Sequence, residues 1–147
     1  MKKEKVIDAL KKFETHYKIL FFFVVLSLTI AIIRIGVLIH DPNPIILGFE
    51  FHHFDYGLLL LFVTTILLLF GKKRHFAYIT MAGISFGMIL DDLIFIRGNI
   101  MSMENQTLVY NSTLPGTLIL TVVTMLIILA ITYLLKRKKL MLNNTNS

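Results

Sequence analysis

The chain has 147 residues, room for one domain, and its apolar fraction of 56% and mean hydropathy of +0.76 exceed the roughly 45–50% apolar share of a soluble domain. It has no cysteine, which excludes disulfides, thiolate metal sites and cysteine nucleophiles. The net charge of +6 lies beside long apolar runs, so it reads as membrane topology and attraction to anionic lipid, with no nucleic-acid partner expected.

Residues 1–16 predict a short amphipathic helix lying along the headgroups, because Val6, Leu10, Phe13 and Tyr17 share one helical face with lysines around the rest. A frayed basic tail fits the same composition. Residues 17–39 form the first expected span, broken only by Lys18 and Arg34, and some 20 residues at 1.5 Å each cross a hydrocarbon core of about 30 Å. A cleaved signal peptide fits badly, since the run is too long and no small-x-small site follows. His40-Asp41-Pro42-Asn43-Pro44 then breaks the helix. Residues 45–51 read equally as a short interfacial helix or an extended piece.

The second span is expected over 54–71, stopped by Gly71 and the basic run Lys72-Lys73-Arg74. The third covers 76–96. Within it Gly83, Gly87 and Asp91 stand four apart on one face, so small residues admit a neighbouring helix and Asp91 points at protein rather than lipid. Residues 97–115 read as a polar loop, with sequons at Asn105 and Asn111 that carry little weight. The fourth span, 116–135, is uncharged and ends in Lys136-Arg137-Lys138-Lys139, followed by an Asn-rich tail. The fold class expected is therefore all-α: a single membrane domain, 1–147, built as a four-helix bundle.

Charge sets the expected orientation. Thirteen of the fifteen Lys and Arg fall in the N-terminal segment through Lys18, the 72–74 loop or the C-terminal run, which four spans place on one side. The positive-inside rule makes that side cytoplasmic and puts both termini within the cell. Six of nine acids and three of five histidines (His40, His52, His53) belong to the other face. It is acidic and rich in imidazole.

Ionisable groups at the mouth of lipid-spanning helices are costly, so they are read as a site with partners. Arg34 and Asp91 each lie about five residues inside the outer end of a span, roughly 7–8 Å deep, and should pair. Asp92, about 100° round the helix, faces elsewhere. The functional reading is a divalent-metal site for zinc, iron or manganese, with His53, His52, Asp91 and His40 as candidate ligands. His53 is the first choice to face inward, since Gly57 stands one turn below it. A metal-activated water would be the nucleophile, with Asp92 or Glu50 as base, and Arg34 or Arg97 would hold a phosphate. The plainer reading of these residues is an ion pair and an aromatic–imidazole belt. Ser85 lies in a G-I-S-F-G context mid-span, away from any strand-to-helix turn, and reads as no nucleophile.

His53-Phe54-x-x-Gly57 opening one span, with Gly87-x-x-x-Asp91-Asp92 and Arg97 closing the next, resembles the pattern of VanZ-like small membrane proteins over about residues 50–100. The Asp-Lys expected before the histidine and the Gln after the acid are absent here. The resemblance implies a cell-envelope role with His53, Asp92 and Arg97 as the matched positions. Three functions follow. One is a metal protein acting at the outer leaflet on a lipid-linked envelope substrate. Another is an accessory or assembly protein, alone or with a membrane partner or second copy, whose polar cluster only locks its helices. A cation or proton carrier ranks last, because the inner halves of the spans offer hydroxyls and no ionisable relay.

Overall fold

The computed structural model describes residues 17–39, 45–46, 49–70, 76–97 and 106–144. The expected N-terminal helix, His40, Asp41 and the 72–74 run lie outside them. Among the described residues there are five helices and one short strand pair: α1 (Lys18–Ile39), β1 (Ile45–Ile46), β2 (Phe49–Glu50), α2 (His53–Phe70), α3 (Phe76–Arg97), α4 (Gln106–Ser112) and α5 (Leu114–Asn144). Four segments among the described residues are long and apolar enough to cross a membrane: Lys18–Ile39, His53–Phe70, Phe76–Arg97 and Leu114–Leu135. The chain is a helical bundle with the character of a multi-pass membrane protein.

Helix α3 is the centre, with α1 and α2 packed along it and α5 touching it more lightly. The small residues of α3 decide how closely. A Cβ on Gly83 would stand 2.8 Å from Val25 Cγ1, and one on Gly87 would stand 2.7 Å from Thr29 Cβ. Backbone therefore meets side chain directly along this seam. The contacts step in the same direction on both helices, from Val25–Gly83 through Thr29–Gly87 to Arg34–Asp91, so α1 and α3 run parallel. Helix α2 runs antiparallel to α3, with Gly57 against Ser85, Met88 and Ile89 and Phe54 against Asp92. Leu26, Ile30 and Leu90 form one core cluster, flanked by Phe22, Phe86, Leu120 and Met125, and Ile33, Val37 and Tyr110 form a second. The outward faces of α1, α2 and α5 are lined with exposed Leu, Ile, Val and Phe, the surface a bilayer rather than water would cover.

One open choice is settled, and two details differ from the sequence expectation. Ile45–Ile46 and Phe49–Glu50 take the extended one of the two forms open to this stretch: Ile45 pairs with Glu50 and Ile46 with Phe49 in an antiparallel ladder. The polar 97–115 connection contains α4, a seven-residue helix (QTLVYNS) too short and too polar to show periodicity. Helix α5 begins at Leu114, inside the expected loop, with Pro115 in its first turn, where a missing N–H costs nothing. Helix α5 also continues through the basic run to Asn144, since Lys and Arg are good helix formers and no Gly or Pro stops it.

Candidate functional site

The up-and-down course of the chain brings the end of α1, the start of α2, the end of α3 and the start of α5 to one end of the bundle. The polar groups there fall into two linked clusters, one sealed in the interior and one at the mouth.

Arg34 and Asp91 form the sealed cluster. Arg34 is 8% exposed and Asp91 is fully buried. Arg34 Nε donates to Asp91 Oδ1 at 2.6 Å, and Nη1 donates to the Tyr110 carbonyl at 2.6 Å. Nη2 faces the Asp91 carbonyl, Thr113 Oγ1 and Thr117 Oγ1 at 3.2, 3.1 and 3.0 Å. The guanidinium lies 3.9 Å over the Tyr110 ring, a cation–π contact that desolvation strengthens. The Tyr110 hydroxyl donates to Asp91 Oδ2. Both carboxylate oxygens and all three guanidinium nitrogens are thus engaged by protein. Burial, and then the neighbouring Asp91 carboxylate, push the Tyr110 hydroxyl well above its ordinary value, so it stays a donor.

The expected Arg34–Asp91 pair is present, and so is its cause. An isolated Arg or Asp in a span costs about 2.5–3.5 kcal/mol on insertion scales, and each removes the other's penalty. Tyr110, Thr113 and Thr117 were not singled out from the sequence. The threonines do leave a trace, since Thr113, Thr117 and Thr121 recur every four residues and all are buried. Tyr110 leaves none, lying in a polar stretch that folds over the site as α4.

Asp92 and His53 form the mouth. Asp92 is 2% exposed and turns from α1 toward α2, as the 100° step predicts. Its Oδ2 accepts from the Phe54 backbone N–H at 3.1 Å and stands 3.8 Å from His53 Nδ1. A helix start needs acceptors for its free N–H groups, and the residue preceding α2, His52, brings no side-chain oxygen. Asp92 supplies one from the neighbouring helix, and the dipole of α2 favours its charge. Asp55 supplies another by accepting from the His52 N–H at 2.9 Å, the reaching-back half of a capping box.

His53 faces Asp92 with its side chain 17% exposed, and Gly57 below it gives the close approach to α3 expected of it. His52 lies beside Phe95, ring centroids 6.1 Å apart. Arg97 ends α3 and is exposed. Glu50 ends β2, placed by its backbone pairing with Ile45. Of the candidate metal ligands, His53 and His52 gather at the mouth, whereas Asp91 is drawn inward to Arg34 and Tyr110. Among the described residues no three His, Asp or Glu side chains come together as a metal-binding group. Ser85 is fully buried beneath Gly57, closed to substrate.

Comparison with known proteins finds no family, no curated protein and no solved structure that matches this chain.

Proposed function

We propose that the protein is a non-catalytic accessory or assembly component of the cell membrane, multi-pass with both termini cytoplasmic, whose Arg34–Asp91 cluster locks its helices together. The observation that carries this reading is the engagement of Arg34 by the protein itself. Every nitrogen of its guanidinium donates to a protein acceptor, so a substrate phosphate would have to displace interactions that hold α1, α3, α4 and α5 in register. Its contacts are with the protein's own helices, as those of a structural ion pair would be.

The test is a paired replacement in a host whose own copy is deleted. Arg34→Met together with Asp91→Leu should preserve folded yield and complementation, while either change alone lowers both. A double variant that folds normally but fails to complement overturns the reading, because the charges would then act in something beyond holding helices.

One observation favours a second reading, an outer-leaflet metal protein acting on a lipid-linked envelope substrate. His53 and Asp92 stand together at the mouth, and these are two of the three positions that resemble the VanZ-like pattern. Zinc, iron or manganese held by His53 and Asp92 with a further ligand such as His40 would suit this donor set. Elemental analysis of wild-type protein against His53→Ala decides it. Stoichiometric metal lost in the variant supports this reading, and metal-free wild type removes it.

A further inference from the structure

At the end of the bundle remote from Arg34, the helices do not close completely. A groove of about 310 Å³ remains between α1, α2, α3 and α5, lined by Lys18, Phe22, Leu68, Ile79, Ala82 and Ile128 among others. Its walls are almost wholly apolar, and it opens to the surroundings. Ala82 leaves the space, being the small residue on this part of α3. Lys18, the first residue of α1, is exposed at the rim. Lys18 to Phe22 and Tyr78 to Ala82 each span four residues, so the groove is about 6 Å deep along the helices.

Among the described residues, the exposed charged side chains at this end are all basic: Lys18 at the start of α1, and Arg137 and Lys138 on α5 beyond the span. All four acids among the described residues, Glu50, Asp55, Asp91 and Asp92, belong to the opposite end. An apolar slot open to lipid beneath a cationic rim therefore has a chemical complement: a hydrocarbon chain tied to an anion.

We propose that this groove seats the upper acyl chain of an anionic phospholipid, with its phosphate on the Lys18 ammonium. The aliphatic stem of Lys18 lies along the apolar wall while its head stays at the headgroup level. The neighbouring basic residues add attraction to negatively charged lipid. The site is independent of the Arg34 cluster.

The experiment uses the full chain purified in neutral detergent, with phosphatidylglycerol or phosphatidylcholine of identical acyl chains added back. Native mass spectrometry counts retained lipid. Phosphatidylglycerol should be retained at one site roughly five-fold more tightly, the preference one basic residue near an anionic surface supplies. Lys18→Gln should erase that preference, and Ala82→Phe should lower occupancy by filling the slot. Equal retention of the two lipids by wild type, or a preference that survives Lys18→Gln, overturns the proposal. Should Ala82→Phe not fold, Ile79→Trp puts a fluorophore in the groove. Chain-brominated phosphatidylglycerol must then quench it more than brominated phosphatidylcholine, and equal quenching overturns the proposal as well.

Discussion

Arg34 and Asp91 meet at 2.6 Å across 57 residues of sequence, yet the pair is not symmetrical. The other groups Arg34 donates to are oxygens: the Tyr110 and Asp91 carbonyls and the hydroxyls of Thr113 and Thr117, which give their own protons to those carbonyls. Exchanging the charges, Arg34→Asp with Asp91→Arg, would set a carboxylate among those oxygens. The exchanged protein should be no better folded than either single variant, whereas the apolar pair Arg34→Met/Asp91→Leu recovers most of the loss. Single breakage of a buried pair costs about 3–5 kcal/mol. Folded yield by size-exclusion chromatography in detergent ranks the variants, and rescue by the exchange would refute the asymmetry.

Tyr110→Phe keeps the ring under the guanidinium and removes only the hydroxyl given to Asp91 Oδ2. Leaving that buried oxygen short of a donor should cost about 1–3 kcal/mol. The variant also tests a pH effect. The folded hydroxyl is held above its ordinary value of 10.0 by burial and by Asp91. A group raised on folding contributes its stability in full below the unfolded value and loses it as the pH rises beyond. The gap in thermal midpoint between wild type and Tyr110→Phe should thus be constant through neutral pH and shrink above about pH 10. A gap that widens there contradicts the bond.

Much of this was legible in the sequence, and what was not has a physical cause. Length and hydrophobicity suffice for spans, because hydrocarbon tolerates so few alternatives. The Gly83-Gly87-Asp91 stripe and the matching depth of Arg34 suffice for the buried pair, since both are properties of ideal helices. Tyr110 reaches the pair from α4, and no periodicity reports where a short polar segment lands. Asp92 was legible as facing away from Arg34. That it caps α2 depends on the vertical register of two antiparallel helices, which composition does not encode.

The close seam between α1 and α3 makes a contrast between glycines. A methyl on Gly87 would meet Thr29 Cβ at 2.7 Å and the Leu26 carbonyl at 3.0 Å, whereas one on Gly36 meets nothing within 4 Å. Gly87→Ala should therefore force the helices apart and cost about 1–3 kcal/mol, weakening the Arg34–Asp91 contact one turn further on. Gly36→Ala should be neutral or stabilising by a few tenths, since helical glycine is costly by itself. Thermal unfolding of the two variants measures the difference, and equal midpoints would show that the seam has slack.

Asp92 separates capping from charge. Asp92→Asn retains an oxygen able to accept from the Phe54 N–H, but loses the negative charge that faces the α2 dipole and His53. Asp92→Leu loses both. If the main task of Asp92 is to complete the first turn of α2, the asparagine variant should stay within about 0.5 kcal/mol of wild type, a modest share of the 0.3–1 kcal/mol a charge near a helix terminus contributes. The leucine variant should lose about 1 kcal/mol or more, as cap removal does. Amide hydrogen exchange at Phe54 and Asp55 gives the local readout, with fast exchange expected in Asp92→Leu and near-native protection in Asp92→Asn. Were both variants to lose protection equally, the charge beside His53 rather than the cap would be what holds this end of the helix, and the mouth would have to be regarded as an electrostatic site.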